Sequence, residues 1–231
     1  MSIERSQAPV IEHHVKQIEK QGQGYIIDGK YECKYLVGAG GTACPVRRTF
    51  FPHQRPPEKQ ILTLEKEFEY PQRDNTAHIF FLNRGLKGYS WYVPKGNGYV
   101  NIGLGGFGSY FKKSGTNIHQ HFQWFLEDLS QRGLLDATKA TELNVSGYSY
   151  YLYANQGQIK QDNCFLIGDS AGLASVDLGE GISPSIESGL LAAGEIIGDR
   201  QYQKQAVSQF SLNRIWQWAI EPWLLKIIEI A

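Results

Sequence analysis

An excess of charge of either sign is missing from this sequence. Its 23 basic residues balance 23 acidic ones, which removes the broad positive field that nucleic-acid binding draws on. Paired cysteines are missing too: Cys33, Cys44 and Cys164 show neither zinc-ligand spacing nor a disulfide framework. No metal is expected from them, and a reducing, cytoplasmic setting fits. No run of about 18 apolar residues occurs, so no helix is expected to cross a membrane. The opening residues MSIERSQAPVIEHH lack the apolar core of a signal peptide. His119 and His121 stand two apart and would diverge on a helix, so they read as solvated side chains and not as ligands.

What the chain does have is the material of a core. It is 231 residues long, 42% hydrophobic and 13% aromatic, enough for one large domain or two small ones. Short β-like runs fill the stretch from Glu12 to Val37, around a turn at Gly22–Gly24. Pro45, Pro52, Pro56 and Pro57 then recur too often for a helix to persist. Four strand candidates follow: ILTLEKEFEY, AHIFFLN, YSWYVP and YVNIGLGGF. The last two flank Asn97-Gly98, a strong hairpin signal, so an antiparallel sheet is expected. A helix is predicted from about Asn117 to Arg132 with Ile118, Phe122, Phe125 and Leu129 on one face, then a strand pair over residues 144–159.

From Cys164 to Ile196 the pattern is a buried strand, a small-residue loop, the turn Gly179-Glu180-Gly181 and a helix. Ser183 is expected as N-cap, Pro184 in the first turn, and Ile182, Ile186, Leu190 and Ala193 on the core face. The aromatic-rich stretch Ile215–Ile230 reads as a further helix on the core, with a membrane-surface or partner-binding face as the alternative.

Two glycine patterns invite a nucleotide reading. Gly38–Ala43 fits GxGxxA after a strand, but the prolines beyond it leave no room for a crossover helix of ten or so residues. Gly103–Gly108 fits GxGxxG, but it ends a hairpin strand, and the SYFKKSG beyond it does not read as a helix start. Its glycine spacing reads as coincidence.

Three segments resemble one family in its own order. YLVGAGGTACPVRR is similar to the turn of aromatic-hydroxylase-type flavoproteins at Gly38, Ala39, Gly41, Val46 and Arg47, with Gly40 for the usual aspartate and Cys44 for the usual serine. GYSWYVPKG resembles the Tyr-x-Trp-x-Phe-Pro motif of geranylgeranyl reductases at Tyr89, Trp91, Pro94 and Lys95, with Val93 for the phenylalanine. CFLIGDSAGLASVDLGEGI resembles the second flavin-binding motif of these FAD-dependent oxidoreductases.

The resemblance implies FAD as cofactor and NAD(P)H as a possible electron donor. It places Gly168, Asp169, Ala171, Gly172, Gly179, Gly181 and Ile182 at the cofactor, with Gly41 and Arg47. Asp169 would take the ribityl chain. Tyr89, Trp91 and Pro94 would line the cavity of an apolar small-molecule substrate. No catalytic side chain is assigned, because the flavin performs the redox step through N5. The helix end after Gly181 would favour an anionic flavin by roughly 0.3–2 kcal/mol.

The implied fold is α/β (α+β). Residues 1–50 and 160–200 would form a partial FAD/NAD(P)-binding Rossmann-like domain. An antiparallel-sheet substrate domain would be inserted at 51–159, and a helical segment would follow at 201–231. The strand–GxGxxG–helix that opens such proteins is not found in Met1–Gln23, so the chain reads as a C-terminal portion. Two alternatives stand beside this reading. One is an inactive remnant that binds an apolar ligand or a partner chain, and the other is an NAD(P)-binding domain using Gly38–Ala43.

Overall fold

In a computed structural model, described for residues 8–52, 57–71, 75–141, 143–154 and 157–207, the chain opens with a three-stranded antiparallel meander. Its strands are β1 (Ile18–Gln21), β2 (Gly24–Ile27) and β3 (Tyr31–Cys33). Next comes β4 (Leu36–Gly38), then a 3-10 turn at Gly41–Ala43 and α1 (Pro45–Phe50). The prolines do not forbid that helix, because Pro45 occupies its first turn, where the missing amide costs nothing. They do keep it to six residues. This is too short for the crossover helix of a dinucleotide fingerprint, and it starts well past Gly38.

The large sheet is built from β5 (Gln60–Glu69), β6 (His78–Phe81), β7 (Gly88–Pro94), β8 (Tyr99–Phe107) and a later strand, β9 (Ser146–Tyr151). Its order is β6-β7-β8-β5-β9, all antiparallel. Of the expected strand pair over 144–159 there is one strand among the described residues: β9 pairs with β5, and Leu152 then bridges to Ala174.

The glycines of β8 have a cause other than coincidence. Trp91 lies opposite Gly103 and Tyr89 opposite Gly105, and a Cβ at Gly103 would come within 2.3 Å of the Trp91 ring. Gly103 makes room for the Trp91 indole, whereas a Cβ at Gly105 would meet Thr63 of β5 at 3.1 Å. A six-residue helix, α2 (Gly108–Lys113), does start directly after β8. The strand before it is antiparallel to both its neighbours, so no βαβ unit results.

Helix α3 (Ile118–Gln131) lies on this sheet as its spacing predicts. Asn117 caps it: Gln120 N donates to Asn117 Oδ1 at 3.0 Å, and Asn117 N donates to Gln120 Oε1 at 2.9 Å. Phe122, Phe125 and Leu129 are buried with Tyr92, Val100, Ile102 and Leu104 of the sheet, which makes one continuous apolar layer. A short α4 (Ala137–Thr141) follows.

The chain then returns through β10 (Lys160–Gln161) to β11 (Cys164–Leu166), which pairs in parallel with β4. Burial pushes the Cys164 thiol up to about 12, so it stays a protonated, packed side chain. A 3-10 turn at Gly168–Ala171 and α5 (Ile182–Ile196) complete the unit.

The face α5 buries is the reverse of the expected one. Ile182, Ile186 and Leu190 are 75%, 62% and 67% exposed, and Ala193 is exposed as well. Pro184, Ser188, Ala192 and Gly194 are buried instead. The helix lies close against the turn after β11, and only small side chains fit between them. Ser188 Oγ accepts the Gly168 amide at 3.0 Å, and a Cβ on Gly168, whose φ is +55°, would meet Ser185 Oγ at 2.6 Å. The expected C-terminal helix, Ile215–Ile230, lies outside the described residues.

Candidate functional site

Two neighbouring strand ends create the site. Because β4 and β11 run parallel, their carboxyl ends open side by side, the position where α/β sheets bind ligands. Each strand leads into a 3-10 turn. The two turns are tied together by Ser170, whose hydroxyl donates to the Gly38 carbonyl at 2.7 Å.

Asp169 stands at the mouth. Its Oδ2 accepts from Tyr148 Oη at 3.2 Å, and its Oδ1 would lie 3.3 Å from a Cβ on Gly181. Tyr148 Oη also accepts from the Thr42 amide at 3.4 Å. Gly41 is needed on two counts there: its φ is +65°, and a Cβ would stand 2.6 Å from that same hydroxyl.

The large sheet supplies the opposite wall. On β7, Tyr89 and Trp91 share one face, with ring centroids 5.7 Å apart. Trp91 Nε1 donates to Asn101 Oδ1 at 2.6 Å, which fixes the indole. Tyr89 Oη donates to the Leu178 carbonyl at 2.6 Å and so ties the loop before Gly179 to the sheet. On β9, Tyr148 and Tyr150 stack with centroids 6.4 Å apart. Burial holds the Tyr89 phenol above its ordinary range. Tyr150 is raised further by burial and then by the nearby Tyr89 and Asp169, so both phenols are neutral hydrogen-bonding groups.

Between these walls is a cleft of about 540 Å³ lined by Trp91, Tyr148, Tyr150, Asp169, Gly181 and Ile182, among others. Behind it a smaller cavity of about 90 Å³ lies among Tyr89, Trp91, Tyr150, Val176 and Leu178. Trp91, Tyr150 and Gly179 line both. Asp169, Gly179, Gly181, Ile182 and Trp91, picked out separately in the sequence, thus meet in one space.

The remaining sequence candidates sit elsewhere or serve the backbone. Gly168 is buried and packs against α5. Gly172 closes its turn with a φ of +63°. Ala171 and Arg47 line a separate small cavity together with Lys204, and Arg47 Nη2 donates to the Thr42 carbonyl at 3.4 Å. Pro94 pairs with Val100 at the far end of β7 and lines neither the cleft nor the cavity behind it.

Tyr148 and Tyr150 were not picked out from the sequence. The alternation in SGYSYY, which puts both on one face of a strand, carried the signal. The start of α5 also differs from expectation. Its N-cap is Gly181, not Ser183. The Ser183 amide donates to Glu180 Oε1 at 2.8 Å, and Pro184 has no amide. Two of the helix's first three amides are therefore withheld from a ligand.

Among the described residues no group of three or more His, Cys, Asp or Glu could hold a metal ion, and no helix is long and apolar enough to cross a membrane.

Residues 60–145, which hold β5 to β8 and α3, match the geranylgeranyl reductase catalytic domain. Over that stretch the chain is similar to geranylgeranyl reductases. It is 25% identical over 222 residues to digeranylgeranylglycerophospholipid reductase 3 of Methanosphaera stadtmanae, covering 87% of this chain and 52% of that protein. It is 28% identical over 195 residues to a digeranylgeranylglycerophospholipid reductase of Methanosphaerula palustris, covering 82% of this chain and 46% of the relative. The chain thus spans about half the length of these curated relatives.

Among solved structures it superposes on a geranylgeranyl bacteriochlorophyll reductase-like protein from Thermoplasma acidophilum. That match has a TM-score of 0.62 at 18% identity and covers 82% of this chain and 50% of the other. A flavin-dependent halogenase gives a TM-score of 0.51 at 17% identity, with 90% and 40% covered. These likenesses establish the fold: an α/β scaffold with an antiparallel sheet domain.

Proposed function

We propose that this chain forms the isoalloxazine and ribityl side of a flavin site together with the substrate wall beside it. The whole protein would then reduce or oxidise an apolar, isoprenoid-like small molecule, with NAD(P)H as electron donor. The observation that carries this reading is the shared cleft. Its polar end is the Asp169 carboxylate beside Gly181, and its apolar end is Trp91 and Tyr150.

The residues present suit the group. An ionised carboxylate accepts hydrogen bonds from sugar-like hydroxyls, and such charge-assisted bonds are the stronger kind. Gly179 and Gly181 leave backbone uncovered where a flat ring would approach. The neutral phenol of Tyr150 and the indole of Trp91 offer an apolar surface that excludes water from a hydrocarbon chain. The bond from Tyr89 to the Leu178 carbonyl holds the glycine loop in place. A bound flavin would supply hydride transfer at N5, chemistry that asks of the protein orientation and dryness more than an acid or base.

The relatives' names, digeranylgeranylglycerophospholipid reductases, support the substrate class. Titration of the purified chain with FAD and with riboflavin tests the reading. Flavin should bind, and Asp169→Asn should weaken riboflavin roughly 10- to 100-fold, the scale of one hydrogen bond to a charged group. Absence of any flavin binding at millimolar riboflavin would sink the reading.

A further inference from the structure

Tyr148 reaches both turns of the site with one atom. Its Oη donates to Asp169 Oδ2 at 3.2 Å and accepts from the Thr42 amide at 3.4 Å. Little else holds the side chain. It is 48% exposed, and its one ring partner among the described residues, Tyr150, stacks at 6.4 Å. The phenol also lines two clefts: the one containing Trp91 and Asp169, and a second of about 430 Å³ bounded by Thr42, Leu62, Leu64 and Ile118. Gly41 gives its hydroxyl a seat that any other residue would fill, since a Cβ would stand 2.6 Å away.

A group that fills this seat must donate to a carboxylate and accept from an amide at the same oxygen. A phenol does both. So does an alcohol on a polyol chain. A phosphate ester's anionic oxygens cannot donate to Asp169, and a hydrocarbon can do neither.

We infer that Tyr148 is a specificity residue of the ligand site, its hydroxyl standing where a hydroxyl of the ligand's polyol chain binds. A ligand displaces it only by offering a hydroxyl that replaces both bonds, so the site selects a flavin through its ribityl chain and not through its ring alone. Swung aside, the phenol would also cease to divide the two clefts, giving an elongated ligand a continuous path past Asp169. This inference rests on the flavin reading above and adds to it the residue that competes with the cofactor.

The experiment compares riboflavin with lumiflavin, which has the same ring and no polyol chain, by fluorescence quenching on wild type and Tyr148→Phe. The variant keeps the ring and deletes the competing hydroxyl. Riboflavin should bind it more tightly by roughly tenfold or more, the scale of one hydrogen bond to a charged group, while lumiflavin affinity stays unchanged. The thermal midpoint of the variant, measured in parallel, confirms that both proteins are folded. Riboflavin binding that the variant weakens or leaves unchanged overturns this inference alone. An equal change for lumiflavin also overturns it, by showing that the ring and not the hydroxyl matters. Binding of neither flavin to either protein overturns the flavin reading and this inference with it.

Discussion

The two halves of the fold seat their helices with opposite kinds of residue. The five-stranded sheet and α3 meet through large side chains, with Tyr92, Phe122, Phe125, Ile102, Leu104 and Leu129 all at most 2% exposed. The parallel pair β4 and β11 meets α5 through small ones, Ser188, Ala192 and Gly194, and leaves Ile186 and Leu190 in solvent. Among the described residues β4 has a hydrogen-bonded neighbour on one side only, and its Val37 is exposed. Parallel strands are ordinarily covered on both faces. Each half has a core of large apolar side chains, Phe51, Phe165 and Leu173 in the parallel half among them, so area removed from water stabilises both. The parallel half carries the close backbone approaches that a ligand site requires. The difference shows why the cleft forms where they meet, with an apolar wall from one and a polar, glycine-lined mouth from the other.

The sharpest break of this comparison is at Phe125. It is 1% exposed and meets Phe80 edge-on at 5.6 Å. Phe125→Ala should cost about 3–5 kcal/mol in urea unfolding, the usual range for a buried aromatic truncated in a packed core. A cost below about 1 kcal/mol would place the stability elsewhere.

Ser188→Leu tests the other half. Ser188 is fully buried, and its hydroxyl satisfies the Gly168 amide. The larger side chain would overpack the contact and strand that amide, for a loss of about 1–3 kcal/mol from overpacking alone. Because Gly168 precedes Asp169, riboflavin binding should fall as well. A variant that loses stability and keeps full riboflavin affinity would separate the packing of α5 from the geometry of the site.

Legibility in the sequence followed the size of the side chains. The strands β5 to β8 and helix α3 could be read because large apolar residues recur at the right period, and because Asn97-Gly98 marks the hairpin. The same logic misplaced α5: Ile182, Ile186 and Leu190 outweigh Ser188 and Gly194 on any hydrophobicity count, yet close approach to the turn after β11 admits only the small ones. The glycines of β8 misled for a related reason. Their spacing imitates a phosphate loop, but their partners are Trp91 and Tyr89 across the strand pair, a long-range relation that no local pattern shows. Asp169, Gly179 and Gly181 were legible as a motif, whereas Tyr148 and Tyr150 become part of the site only once β9 is paired with β5.

The smallest expected effect is the most informative about α5. Leu190 is 67% exposed, so Leu190→Asp removes little buried area and should change stability by no more than about 0.5 kcal/mol. Aspartate is a poorer helix former than leucine, which accounts for a few tenths of that. The same substitution at Leu129, fully buried in α3, would place a charge in the apolar layer and should unfold the protein. Suppose Leu190→Asp instead costs more than about 1 kcal/mol, outside the range for a surface change. The Ile186–Leu190 stripe would then be covered in solution, and light scattering of wild type and variant would show whether a second copy covers it. A small cost with unchanged mass would establish that α5 is held by its inner face alone, Ser188 and Ala192 with the half-buried Leu191 and Ile196, which is the arrangement that keeps Gly168 and Asp169 in position.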